Sequence, residues 1–278
     1  MGSYRDLRQI IKEKSSSRIL IMDNNNLEFC SQHEEAFPAQ VVFENYDIIL
    51  IPEWVHREIS HSEKRLDYLA MIPTPYFIMS EEEDYIELAG YQELRLLELI
   101  FHAASSISPA RKYYAKLKKL YSQNTDLPEN WIESFYEEGF EKKCETELSK
   151  NAGETSILVL TYLLLHHFPS YIKNITIFSS DKGTLTIKNK IMDNLHKMGL
   201  IHNPVTPVSF MSTDILLIEA LNKKWITIED VEALRPNAKK VIYSIKLENQ
   251  SSSRHEYVMD TLEFTEVLRE IDKYHFEF

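Results

Sequence analysis

The feature that most constrains the fold is a short apolar run, 19–22 (ILIM), which leads directly into Asp23 and three asparagines. A short, continuous apolar run is typical of a strand that is covered on both faces. Similar runs, separated by helical patterns, occur at 46–51, 76–79, 175–181 and 205–210. This alternation predicts an α/β fold, with helical layers on both faces of a central, mostly parallel sheet.

The same patterns predict how the chain is divided. We expect the sheet and its helices to occupy residues 1–223, with an all-helical insertion over 81–149. The insertion should begin with one long helix over 81–104 and end with an acidic helix over 129–148. Residues 224–278 change character: alternation from Val241 to Leu247 predicts a half-exposed strand, with a hairpin partner at 255–259 and a helix over 261–274. We interpret this segment as a small C-terminal α+β addition.

Composition restricts the setting more than the function. The chain of 278 residues has 44% hydrophobic and 27% charged residues, which is an ordinary globular composition. Its two cysteines show no metal or redox spacing, and its start (MGSYRDLRQI) lacks the apolar core of a signal peptide. The most apolar run, 157–165, is too short to cross a bilayer. We therefore expect a cytoplasmic protein with no membrane partner.

Four acidic residues occupy matching places in the predicted fold. Asp23 and Asp181 follow the first and fourth strands, and Glu58 and Glu154 lie in the first turns of predicted helices. In a doubly wound sheet, these positions converge on the edge where the strands end.

Each acid also has a purely structural explanation. Asp23 could be only an N-cap, and Asp181 could belong to a plain turn. Glu154 could be the capping partner of Asn151, and Glu58 could be a solvated helix residue. If all four structural explanations are correct, the four acids occupy matching places in the fold by coincidence.

Converging carboxylates need a counter-charge. Two of them about 4 Å apart repel by roughly 4 kcal/mol at an effective dielectric of about 20. Such a group must take up protons or bind cations, and all-oxygen ligands favour Mg²⁺ or Mn²⁺ over zinc. Divalent ions among carboxylates suit phosphodiester hydrolysis, because the metal lowers the pKa of a water and neutralises charge at the phosphorus.

These motifs resemble those of PIN-domain nucleases in order and spacing. The resemblance extends over about 18–80 and 149–223, and its motifs are 23–27 (DNNNL), 51–59 (IPEWVHREI), 153–155 (GET), 178–181 (FSSD) and 208–217 (VSFMSTDILL). The helical segment 81–149 is longer than compact toxins of this class carry, and the tail after 223 is extra.

The resemblance implies a divalent-metal endoribonuclease, such as the toxins of bacterial toxin–antitoxin pairs. Asp23, Glu58, Glu154 and Asp181 would be the catalytic metal ligands. Behind them, the side chains that would orient water, metal or phosphate are Asn25, Asn26 and Ser180. The substrate would be single-stranded or structured RNA. An antitoxin, another protein or a second copy of the chain in a homodimer would be the protein partner.

A net charge of -12 raises the question of how such a protein would hold RNA, since nucleic-acid-binding domains are usually basic. One predicted helix carries five cations within nine residues, namely Arg111, Lys112, Lys116, Lys118 and Lys119. This face could follow the phosphates of an RNA strand, with Tyr114 or Tyr121 stacking on a base. An ordinary amphipathic helix with a solvated basic side explains the same pattern.

Two other interpretations remain open. A haloacid-dehalogenase-like phosphatase also has an Asp after its first strand, but it needs a second Asp two residues later, where this chain has Asn25. A catalytically silent nucleic-acid or protein-binding module on the same fold would keep the strands without the chemistry. A metal-dependent cleavage assay separates the second interpretation from the nuclease.

Overall fold

A computed structural model describes residues 4–14, 16–124, 126–140, 151–180, 208–245 and 254–277. The predicted α/β class is confirmed, because helices cover both faces of a central sheet. In the described part of the chain, the sheet consists of β1 (Ser17–Met22), β2 (Ile48–Pro52), β3 (Tyr76–Met79), β4 (Ile172–Phe178) and β5 (Val208–Phe210). All of the pairings are parallel, and the strand order is β3-β2-β1-β4-β5.

The central position of β1 follows from its sequence. All of its residues except Arg18 are buried, and so are all five residues of β2. A strand with neighbours on both sides and helices on both faces needs such an uninterrupted apolar run. The short strand β5 lies at one edge of the sheet.

The helices up to residue 180 are α1 (Tyr4–Lys14), α2 (Asn24–Gln32), α3 (Ala39–Val42), α4 (Glu53–Ile59), α5 (Glu63–Ala70), α6 (Asp84–Leu88), α7 (Glu93–Ala103), α8 (Ser108–Asn124), α9 (Trp131–Glu138) and α10 (Ala152–His167). Helix α10 is buried on all sides from Thr155 to Leu165 because it contacts both the sheet and the helices α6 and α7. The helical segment after β3 therefore helps to form the core.

The prediction of one long helix over 81–104 is wrong. The chain forms α6 and α7 instead, and it breaks at Gly90 and Tyr91, which have φ angles of 66° and 59°. Glycine adopts this left-handed conformation at little cost, so Gly90 allows the break that the continuous helical pattern conceals. The part of the predicted helix 129–148 after residue 140 lies outside the described residues.

The C-terminal segment folds as a small α+β unit. Its elements are β6 (Lys239–Ile245), β7 (Arg254–Met259) and β8 (Tyr274–Phe276), with α12 (Ile228–Leu234) before them and α13 (Thr261–Leu268) between β7 and β8. The predicted hairpin is confirmed, because β6 and β7 pair antiparallel. The predicted helix over 261–274 ends at Leu268, and the chain then adds β8 to the other side of β6.

A buried ion pair connects this unit to the main sheet. Asp214 lies in the first turn of α11 (Thr213–Asn222), and Arg235 follows α12. The Arg235 side chain is fully buried, and its Nε lies 3.1 Å and 3.0 Å from the two carboxylate oxygens of Asp214. Among the described residues, no helix is both long and apolar enough to cross a membrane.

Candidate active site

Asp23 is held rigidly where β1 ends. Its side chain is 4% exposed, and its Oδ1 accepts a hydrogen bond of 2.7 Å from the backbone N–H of Asn24. The Ser179 hydroxyl, which follows β4, donates to Oδ2 at 2.6 Å. Asp23 is therefore the N-cap of α2, as the structural explanation proposed. Because Ser179 belongs to the neighbouring strand end, the same carboxylate also lies at the junction of β1 and β4.

Glu58 lies near Asp23 although it comes from a different element. The prediction that it lies in the first turn of its helix is wrong: it is in the last turn of α4, after β2, and is partly buried. Burial raises the pKa of its carboxyl group from 4.5 to about 7, with a further contribution from the charge of Asp23. The nearby guanidinium of Arg65 acts in the opposite direction. The two acids are thus close enough for the charge of one to disfavour ionisation of the other.

The start of α10 packs directly on Glu58. A Cβ atom built on Gly153 would lie 3.4 Å from Glu58 Oε1 and 3.3 Å from Val55 Cγ2, so the absence of a side chain permits this close approach. Glu154 is the next residue and is partly buried. The Asn151 side chain makes no capping hydrogen bond, which removes the capping-box explanation of Glu154.

The fourth predicted acid, Asp181, lies outside the described residues. Strand β4 ends at Phe178, and Ser179 and Ser180 continue the chain toward that position. The structure therefore brings Asp23 and Glu58 together and brings the backbone next to Glu154 against Glu58.

Asn26 and Ser180 form a buried bridge behind the acids. Asn26 is fully buried, and its Nδ2 donates to the backbone carbonyl of Met211 at 2.6 Å. The Ser180 hydroxyl donates to Asn26 Oδ1 at 2.7 Å and accepts from the backbone N–H of Thr213 at 2.9 Å. Asn25, in contrast, is exposed and makes no side-chain hydrogen bond within the described ranges.

The donor set fits a hard divalent cation. Within the described ranges, no three His, Cys, Asp or Glu side chains form a group that could hold a metal ion. Asp23 and Glu58 nevertheless offer carboxylate oxygens, the ligands that Mg²⁺ and Mn²⁺ prefer. The raised pKa of Glu58 indicates that this place takes a proton when no cation is there.

A further buried acid, Glu81, is not among the predicted site residues. It is 2% exposed, and burial raises its pKa to about 8. It accepts hydrogen bonds from the Ser156 hydroxyl and, at 3.4 Å, from the backbone N–H of Trp54 in the first turn of α4. Glu81 follows β3 as Asp23 follows β1, so the rule that identified Asp23 could also have identified it. Its contacts are those of a buried cap for α4.

All five cations predicted to bind nucleic acid are exposed on α8. Lys116 lies 3.5 Å from Glu138, and Lys118 lies 3.2 Å from Glu98. The expectation that Tyr114 can stack on a base is wrong. Its ring is 9% exposed and stacks on Phe101 at 3.9 Å.

A cavity of about 530 Å³ opens near the other end of the sheet. Arg18 and Asn174, near the starts of β1 and β4, line it together with Glu219 of α11. Its lining includes none of the three described acids of the candidate site. Met211, whose backbone carbonyl accepts from Asn26, is nevertheless among the lining residues, so the cavity extends to the bridge between Asn26 and Ser180.

Comparisons with protein-family profiles, with curated proteins and with solved structures find no significant match to this chain. The fold class and the geometry of the acids are consequently the observations from which a function can be argued.

Proposed function

We propose that this protein is a divalent-metal-dependent endonuclease that hydrolyses phosphodiester bonds in single-stranded or structured RNA. One observation carries the proposal: Asp23 and Glu58 belong to two different strand–helix connections, yet they lie close enough for the charge of Asp23 to raise the pKa of Glu58. Glu154 and Asp181 would complete the site. This arrangement supports the resemblance to PIN-domain nucleases, and a toxin or defence effector is the biological role that the resemblance implies.

Each side chain has a specific part in this proposal. A bound Mg²⁺ or Mn²⁺ ion would lower the pKa of a water and neutralise charge at the phosphorus. Asp23 offers a carboxylate whose orientation is fixed by Asn24 and Ser179. The pKa of Glu58 is raised to about 7, so a bound cation would compete with a proton for its carboxylate near neutral pH. Asn26 and Ser180 keep the ends of β1 and β4 in register behind these acids.

The test is cleavage of fluorescein-labelled single-stranded RNA with Mg²⁺ or Mn²⁺, and with chelator. Asp23→Asn and Glu58→Gln should each lower the rate by more than about a hundredfold, because even residues that only orient metal ligands contribute tenfold to a hundredfold. Glu81→Gln is the matched control, since Glu81 is also a buried acid with a raised pKa but lies in another cluster. It should leave the rate unchanged.

The second candidate is a binding module without catalytic activity. The exposed cations Arg111, Lys112 and Lys119 favour it, because they can contact phosphates whether or not the acids hold a metal. RNA binding without metal-dependent cleavage would support this module. Wild-type rates in both Asp23→Asn and Glu58→Gln would contradict the nuclease site.

A further inference from the structure

Lys239 extends from the C-terminal unit to the bridge behind the candidate site. It is the first residue of β6, and its side chain is 35% exposed. Its Nζ donates to Thr213 Oγ1 at 2.9 Å and lies 3.8 Å from Asp214 Oδ1. Thr213 in turn contacts Ser180, and the preceding residue, Ser179, donates to Asp23.

Among the residues that the structure describes, the charges next to Lys239 do not cancel. Asp214 is already paired with the fully buried Arg235, which contacts both of its carboxylate oxygens. Lys239 therefore adds a second cation to one anion, and these three side chains together carry a net charge of +1. A cation that served only to balance Asp214 would be redundant here.

The Lys239 ammonium also retains hydrogen-bonding capacity. It has three N–H groups, and within the described residues one of them has an acceptor, Thr213 Oγ1. Burial lowers its pKa and the charge of Arg235 acts in the same direction, whereas Asp214 raises it. An anion bound next to Lys239 would offset the effects of burial and of the Arg235 charge on its ammonium group.

We infer that Lys239 binds a backbone phosphate of the RNA strand, next to the phosphate that is cleaved. Two neighbouring features carry this inference: the excess positive charge at Lys239, and the bridge between Ser180 and Asn26 behind the acids. It rests on the proposed nuclease function, and it assigns the C-terminal unit a part in holding the substrate. A phosphate contact of this kind contributes to affinity whatever the RNA sequence.

The experiment measures RNA binding and cleavage in wild type, Lys239→Gln, Lys239→Arg and Lys240→Gln. Lys240 is the matched control because it is the next residue of β6 and pairs with Glu256. Binding of a labelled single-stranded RNA is titrated with Ca²⁺ at several salt concentrations, and cleavage is followed with Mn²⁺. Thermal melting in the same buffers checks that each variant is folded.

We expect Lys239→Gln to weaken RNA binding about fivefold and to reduce the slope of log affinity against log salt by about 0.7, the value for one phosphate of a single strand. The loss should appear in KM, with kcat nearly unchanged, because the contact is the same in substrate and transition state. Lys239→Arg should keep the wild-type slope, and so should Lys240→Gln.

The results separate this inference from the proposed function. If wild type cleaves RNA and Lys239→Gln has the wild-type slope and KM, Lys239 is only a structural contact and the inference is wrong. If wild type neither binds nor cleaves RNA, the proposed function fails and the inference fails with it. Equal losses of RNA affinity in Lys239→Gln and Lys240→Gln would also overturn the inference, since they would reflect the total charge of the protein and not a contact at Lys239.

Discussion

The raised pKa of Glu58 makes a testable prediction about stability without metal. Replacing Glu58 by Gln keeps the shape of the protonated side chain and removes its charge. In chelator at pH 8, we expect Glu58→Gln to melt at a higher temperature than wild type. Well below pH 4.5, the two proteins should melt alike, because Glu58 is then protonated in both the folded and the unfolded state.

The magnitude follows from the two pKa values. Because the folded pKa is the higher one, protonation of Glu58 stabilises the fold fully below about 4.5, and this contribution is lost as the pH rises through about 7. The rise from 4.5 to about 7 corresponds to at most about 3.5 kcal/mol at roughly 1.4 kcal/mol per pKa unit. At about 2 °C per kcal/mol for a protein of this size, the melting temperature should differ by up to about 7 °C.

The assay is a melting series from pH 4.5 to 8 in chelator, repeated at pH 8 with Mn²⁺. Glu232→Gln is the control, since Glu232 is an exposed acid on α12. Mn²⁺ at a hundred times its dissociation constant should stabilise wild type by about 2.7 kcal/mol. It should stabilise Glu58→Gln much less, because that variant has lost a ligand.

Two results would refute the reasoning. One is a difference between Glu58→Gln and wild type that stays constant from pH 4.5 to 8, since Glu58 would then ionise as it does in water. The other is an equal effect of Mn²⁺ on both proteins, which would place the metal away from Glu58. Asp23→Asn is a poorer probe, because Asp23 also caps α2 and its loss has a cost of its own.

Two further predictions concern buried charges outside the acid pair. Wild type should lose stability as the pH rises from 4.5 through about 8, because Glu81 then ionises while buried, and Glu81→Gln should remove this loss. The stabilisation by Mn²⁺ should stay intact in this variant. Melting with and without metal checks both expectations. Arg235→Met should destabilise the protein by about 3–5 kcal/mol in urea unfolding, because Asp214 stays buried without its guanidinium. Adding Asp214→Asn should recover part of this loss, and no recovery would show that the ion pair is not the cause.

Local patterns were sufficient to predict the strands and the place of Asp23. Continuous apolar runs indicate buried parallel strands, and the ends of such strands meet at one edge. The proximity of Asp23 and Glu58 follows from that topology. The break at Gly90 was missed because the residues on both sides fit one helical pattern, and a single glycine is tolerated within a helix at modest cost.

The burial and contacts that distant segments impose on a residue could not be predicted in this way, even where its place in the fold could. Glu81 begins an acidic run (EEED) that resembles a solvated helix start, and its burial depends on Ser156 and Trp54. Lys239 belongs to a segment that looked like an addition, and its place beside Thr213 depends on the packing of that segment. Tyr114 looked available on its helix, but Phe101 of the neighbouring α7 covers it.

The bridge between Asn26 and Ser180 has a polarity that follows from counting hydrogens. The Asn26 amide donates to Met211, so its oxygen must accept from Ser180. The Ser180 hydroxyl has one hydrogen, which the shorter contact of 2.7 Å takes. The longer contact of 3.3 Å, from the Ser180 hydroxyl to Thr213 Oγ1, can only share that hydrogen, and Thr213 Oγ1 also accepts from Lys239.

The hydrogen bonds from Ser180 onward therefore point the same way, from the Ser180 hydroxyl through Asn26 to the backbone carbonyl of Met211, while Lys239 and Ser180 both donate to Thr213 Oγ1. Aligned hydrogen bonds polarise one another, so each strengthens the next. Substituting Asn26 by Asp would leave the Met211 carbonyl without its donor and place a carboxylate oxygen against it. The C-terminal unit is thus connected to the bridge between Ser180 and Asn26 by hydrogen bonds that meet at Thr213 Oγ1.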